Sequence, residues 1–331
     1  MIIHTTAYPR AALIGNPSDG YFGKTIAFTF SNFSARVTLY ESPELEIVPS
    51  RRDGSVFKSI DDLYGDVQLF GYYGGIRLLK SAIKCLYGYC LEHGIELHRK
   101  NFTIRYDSDI PNLVGLAGSS AIITATMRAL LAFYDVTIPE PQLANLIRAV
   151  ENRELGIAAG LQDRVAQVYQ GMVYMDFAKA LLDKQGFGHY EPLHPPSLPN
   201  LYIAYRTDLS EGSEVFHNNV RERFERGEKE VVDAMAYWAA LTMQARKALE
   251  ASDWPTLSKL MDANFDKRRQ IFALSEGNLH MVETARSVGA SAKFTGSGGA
   301  IIGTYTDDAM FEKLTAAFAA QSIRVLKPAI V

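Results

Sequence analysis

The chain has 331 residues, enough for two domains with full cores, and its 47% apolar and 21% charged content is ordinary for a soluble globular protein. A net charge of -3 excludes a general attraction to nucleic acid or to an anionic membrane, so any anionic ligand must be held by local Lys and Arg. Cys85 and Cys90, five apart in one helical stretch, do not face each other squarely and are expected as free thiols. The first residues lack a basic start and a long apolar run, and the longest apolar helix is interrupted by Arg128, so the expected location is cytoplasmic.

In chain order, Ala11 to Gly15 predicts a strand running into Asn16-Pro-Ser-Asp-Gly20, a turn dense in turn formers. Ile26 to Leu39 alternates as one strand or two, with a bend near Asn32. Residues 41–66 read as strands and loops. Phe70-Gly-Tyr-Tyr-Gly-Gly75 then opens a helix to about Glu92, where the aromatics could flank a nucleotide base or the glycines could permit a close helix crossing. Asn101 to Ser108 alternates as a strand.

That strand delivers Pro111-Asn-Leu-Val-Gly-Leu-Ala-Gly-Ser-Ser-Ala121, directly ahead of an apolar helix from Ile122. Glycine lets backbone approach a bulky ligand, and a helix start offers unpaired N–H groups with a positive dipole end, so phosphate suits this place. Serine hydroxyls can bond phosphate oxygens or magnesium. A plain serine cap over a packed turn is the bland alternative. The pattern is neither a Walker loop nor a dinucleotide fingerprint.

After a helix from Pro139 to Ala149 comes Glu151-Asn-Arg-Glu-Leu-Gly-Ile-Ala-Ala-Gly-Leu-Gln-Asp163, leading into a strand, Met172 to Phe177. Two carboxylates so placed could hold magnesium and accept a proton, or could be unrelated surface groups. Four prolines between Phe187 and Asn200 mark a domain boundary, giving domains 1–195 and 196–331. Leu201 to Tyr205 restarts as a strand, and 211–250 and about 255–287 read as long helices. Within them Arg221-Glu-Arg-Phe-Glu-Arg226 reads as a solvated face, and Asn264-Phe-Asp-Lys-Arg-Arg269 places cations where one could face a cleft. Lys293-Phe-Thr-Gly-Ser-Gly-Gly-Ala-Ile-Ile302 reads as strand, glycine turn and strand, followed by a helix near 307–321 and a strand from Ile323.

Three of these stretches resemble, in order, the motifs of the GHMP kinases. Arg10 with Leu13-Ile-Gly-Asn-Pro-Ser-Asp19 is similar to the first, with Asn16 and Pro17 where galactokinases carry Glu and His. The 111–121 loop is similar to Pro-x(3–4)-Gly-Leu-Gly-Ser-Ser-Ala, with Ala117 as its departure. The stretch 293–300 is similar to the third. The resemblance implies an α+β, two-domain fold, a ribosomal S5 domain 2-like amino-terminal domain and a ferredoxin-like carboxy-terminal one, with the site between them. It implies ATP and Mg2+, with phosphate held by Gly115, Leu116, Ala117, Gly118, Ser119, Ser120, Ala121, Gly296, Ser297 and Gly298. It assigns magnesium to Ser120 and Glu151, the base or hydroxyl-orienting role to Asp163, and its cationic partner to Arg10.

Gly156 to Asp163 resembles heptose-phosphate kinases, fucokinases and glucuronokinases. The segments 17–23, 151–177, 264–272 and 292–300 look most like the last subgroup, which phosphorylates C1 of D-glucuronate. The rivals are another sugar kinase of the family or a catalytically silent sugar sensor, against which Asp163, Glu151 and Ser120 argue. Asp19 is an expected substrate-binding residue, with a turn residue bonding its own backbone as the bland alternative. Because an overall acidic chain must supply a local cation for a uronate, Lys24, Arg164, Arg268 and Arg269 are the expected carboxylate partners. No nucleic-acid or membrane partner is implied.

Overall fold

The protein is described by a computed structural model covering residues 1–50, 53, 59, 74–206 and 220–331. Phe70 to Tyr73 and the start of the helical stretch expected from 211 therefore lie outside the described residues. The chain begins with β1 (Ile2–Ala7), β2 (Arg10–Ile14), a 3-10 turn (Ser18–Tyr21), β3 (Lys24–Thr29), β4 (Ala35–Ser42) and β5 (Glu46–Val48). Next come α1 (Gly75–Glu92), β6 (Asn101–Ser108), α2 (Gly118–Tyr134), α3 (Glu140–Ala149), a π-helical turn (Val150–Glu154) and α4 (Gln162–Tyr169). Then follow β7 (Met172–Asp176), α5 (Lys179–Gln185), β8 (His189–Leu193), β9 (Leu201–Tyr205), α6 (Lys229–Glu250) and α7 (Trp254–Ile271). The chain closes with α8 (Glu276–Ser287), β10 (Lys293–Phe294), β11 (Ala300–Thr304), α9 (Asp308–Ala319) and β12 (Arg324–Leu326).

Two compact units form, and they interleave along the chain. The first comprises Met1–Pro9, Phe33–Asn112 and Ala117–Val168. It holds a four-stranded sheet in the order β1-β4-β6-β5, antiparallel except for β5 against β6. Alternation along β4 turns Ala35, Val37 and Leu39 inward, the period-two signature of a half-buried strand. Helix α2 lies on this sheet and is buried through most of its turns, which is why its sequence is apolar nearly all round.

The second unit comprises Arg10–Asn32, Leu113–Leu116 and Tyr169–Val331. One of its sheets runs β2-β3-β7-β8, all antiparallel. The other runs β10-β11-β9-β12 and packs α7, α8 and α9 around Tyr202, Phe265, Met281, Phe294, Ile301 and Phe318.

The contact units thus differ from a single cut near residue 195. The 10–32 hairpin pairs with β7 far along the chain, and part of the proline-rich stretch is itself β8, an edge strand where Pro192 removes no needed ladder bond. The two expected long helices are also broken. Gly227, at φ +71°, ends a helical turn at 220–225 before α6, and Ser275 caps Asn278 N to start α8 after α7 has ended.

Candidate active site

In the first unit, the phosphate-loop helix does not use serine as its cap. Helix α2 starts at Gly118, and the cap position, Ala117, stands in the left-handed region at φ 62°, ψ 44° with no side-chain cap bond. That conformation costs a residue with a Cβ roughly 1–2 kcal/mol, so neighbouring bonds must hold it. The Ala117 carbonyl accepts from Gln167 Nε2 at 2.9 Å, from Ser120 Oγ at 3.2 Å and from Ala121 N at 3.1 Å. Ser119 and Ser120 therefore occupy the first helical turn, and the cap residue Ala117 offers its N–H groups no side-chain bond. This is the arrangement that binds an anion at a helix start.

Gln167, which sequence reasoning passed over, lies one turn beyond Asp163 on α4 and also donates to Tyr8 O at 3.1 Å. The helix that carries Asp163 is thereby tied to the loop. The i,i+4 spacing of 163 and 167 was the available signal.

Glu151 sits in the π-helical turn, a wide turn that recurs at functional sites, and is 3% exposed. Its Oε2 accepts from Arg164 Nη2 in a buried ion pair. The same guanidinium donates through Nη1 to Gly160 O at 3.0 Å and to Asp163 Oδ2 at 3.2 Å. Glu151, Asp163 and Arg164 are thus brought together. Arg164, expected as a cation for substrate, is engaged by two protein carboxylates, because a buried carboxylate needs a charge partner.

The donor chemistry fits magnesium. Ser120 gives its proton to a carbonyl and keeps oxygen lone pairs, and Glu151 is a hard carboxylate. Among the described residues no group of three or more His, Cys, Asp or Glu clusters for a metal.

In the second unit, Gly115, at φ +71°, lies so close to the 295–298 turn that a Cβ there would stand 2.6 Å from Gly298 O. Only glycine permits that approach. Arg10 secures it, donating from Nη1 to Gly115 O at 2.7 Å and to Thr295 O at 3.1 Å. Arg268 holds the other side, with Nη1 on Gly296 O at 2.9 Å and Nη2 on Ser297 O at 3.2 Å. Its guanidinium is 5.1 Å from the rings of both Phe272 and Phe294, and burial lowers its pKa to about 10. Lys293 donates to Ala12 O at 2.7 Å and Phe294 O at 2.8 Å; burial, then the charges of Arg268 and Arg10, hold its ammonium well below the usual range. Three buried basic groups therefore border the two glycine turns.

The first-motif turn is fixed by Asn264. Its Oδ1 accepts from Gly15 N at 2.7 Å and its Nδ2 donates to Asn16 O at 3.0 Å. Asp19 stands in the 3-10 turn just after. The other expected carboxylate partners each have partners within the protein. Lys24 pairs with Asp176, Arg268 serves backbone carbonyls, and exposed Arg269 pairs with Glu283 at 3.3 Å. The sequence reading counted these cations without seeing acids and carbonyls distant in the chain.

The family models for the GHMP kinase N-terminal and C-terminal domains match residues 77–171 and 245–322. The Arabidopsis thaliana protein named Glucuronokinase 1 is 44% identical over 91% of this chain and 84% of its own length. A second from the same plant, named "Probable glucuronokinase 2", is 46% identical over 89% and 82%. The solved structure of Lactococcus lactis galactokinase with galactose superposes with a TM-score of 0.77 at 16% identity, over 99% of this chain and 93% of that one. With matching family models in both halves and close relatives along nearly its whole length, the chain belongs to the GHMP kinase family and has its two-domain fold.

Proposed function

We propose that this protein is an ATP-dependent, magnesium-requiring sugar kinase that converts D-glucuronate to D-glucuronate 1-phosphate, with ADP as the other product. The identity of 44% and 46% to two glucuronokinases carries the reading, and the Glu151–Arg164–Asp163 cluster supplies its chemistry. No described helix is long and apolar enough to cross a membrane, and a cytoplasmic setting suits a kinase that draws on ATP.

Phosphoryl transfer asks an enzyme mainly for positioning and for charge stabilisation. The sugar's C1 hydroxyl oxygen forms the new bond to the γ-phosphorus as the bond to the ADP oxygen breaks. Asp163 orients that hydroxyl and takes its proton. N–H groups of 115–121 and of 296–298, with the Ser119 hydroxyl, hold phosphate oxygens. Arg10, already bonded to both glycine segments, adds fixed positive charge beside them. Ser120 and Glu151 would hold magnesium, whose charge neutralises the triphosphate. Asp19 would accept from sugar hydroxyls.

Isothermal titration with a non-hydrolysable ATP analogue should show magnesium-dependent binding, and its absence would remove the kinase reading. A panel of glucuronate, glucose, fucose and heptose phosphate then identifies the substrate. Equal turnover of glucose or fucose would remove the acid-specific part and leave the kinase.

A further inference from the structure

Uronate binding calls for a cation at C6, yet Lys24, Arg164, Arg268 and Arg269 are each engaged by protein groups. Resting on the glucuronate reading, we propose that Arg221 is the specificity-determining residue that binds the C6 carboxylate.

Arg221 lies in the helical turn 220–225, whose arginines differ in their surroundings. Arg223 is held by Glu228, with Nε 3.0 Å from each carboxylate oxygen, and by Ile271 O at 3.2 Å. Arg226 is 4.0 Å from Glu222. Among the described residues no carboxylate stands within 4.0 Å of the Arg221 guanidinium. It rests instead on the first-motif turn. Its guanidinium carbon is 5.6 Å from the centre of the Tyr21 ring, and its Nη2 is 3.9 Å from where a Cβ on Gly20 would lie.

The placement is built rather than incidental. Phe224, on the same helix face three residues on, packs edge to face on Tyr21 at 5.0 Å and against Phe22 at 6.4 Å. These contacts set where the helix meets the turn, and so where Arg221 reaches. Burial raises the Tyr21 pKa, Arg221 pulls it down, and Asp19 and Glu225 push it up, so charges of both signs act at this one phenol.

The chemistry is complementary. An aspartate that accepts from sugar hydroxyls repels a uronate, and a guanidinium on the same turn offsets that repulsion. Lying over an aromatic face, arginine keeps its N–H groups for two parallel bonds to a carboxylate.

The test compares the intact enzyme with Arg221→Gln and Arg221→Lys on D-glucuronate and D-glucose at saturating ATP. If the wild type shows no preference for glucuronate, the functional reading fails and the assignment falls with it. Given that preference, Arg221→Gln should raise the KM for glucuronate about 10–100-fold, with kcat/KM for glucose within about twofold of the wild type. Arg221→Lys should recover part of the loss. Arg221 is exposed, so thermal melting of both variants should match the wild type. An unchanged glucuronate KM, or equal losses on both sugars, overturns the assignment.

Discussion

Arg164 and Glu151 form a buried ion pair, and the same guanidinium reaches the Asp163 carboxylate one residue away in sequence. One side chain thus positions both acids of the proposed phosphoryl transfer. Arg164→Gln should lower kcat about 100-fold on glucuronate and glucose alike, while the KM for glucuronate moves little. A loss confined to the KM for glucuronate would show that Arg164 touches substrate instead. Because a buried carboxylate loses its partner, denaturant unfolding should also register about 3–5 kcal/mol of lost stability.

Asp163→Asn keeps the shape of the side chain and removes its capacity to take a proton. Turnover should fall about 10²–10⁴-fold while calorimetric binding of an ATP analogue is retained. Near-normal turnover in the folded variant would reject the role.

Gly115→Ala forces a Cβ to within 2.6 Å of the Gly298 carbonyl at a φ of +71°, against backbone atoms of Ser297 and Gly298. Affinity for an ATP analogue should drop at least about tenfold, and the melting temperature should fall. Gly186→Ala is the control. Its φ is +80° with nothing within 4 Å, so it should cost only about 1 kcal/mol and leave nucleotide affinity intact.

Asn264→Ala removes the acceptor for Gly15 N and the donor to Asn16 O, both buried. About 2–4 kcal/mol of stability should be lost, from two bonds and an amide left unsatisfied. A fall in the denaturant midpoint with an unchanged slope measures it. Asn264→Asp, which keeps the acceptor, should lose less at Gly15 and add a charge at Asn16.

Cys85 carries a pH signature. Burial raises its thiol pKa from 9.0 to about 11, with Glu154 adding to the rise. The folded state therefore keeps the proton after the unfolded chain has released it. This contribution to stability is complete below pH 9.0 and is lost as pH rises through about 11. Cys85→Ala should flatten the decline in melting temperature across that window. At pH 8, alkylation of Cys85 in the native protein should be markedly slower than in denaturant.

The amino-acid sequence by itself determined the elements whose signal is local. Alternation over Asn101–Ser108 and the helix ending at Glu92 are properties of neighbouring residues, and the structure has them where the pattern puts them, while the helix expected from Ile122 starts earlier, at Gly118. Cys85 and Cys90 were likewise legible as free thiols.

Only the tertiary structure decided which charge meets which. The partner of Arg164 is 13 residues away, the carbonyl that takes Arg268 is 28 away, and the acid that takes Lys24 is 152 away. The same holds for the left-handed cap at Ala117, held by Gln167 from 50 residues on, and for the hairpin at 10–29 that joins β7. A run of sequence specifies periodicity and turn chemistry because those act over a few residues. The partner of a buried charge is set by which distant segments pack together, and that depends on the whole core at once.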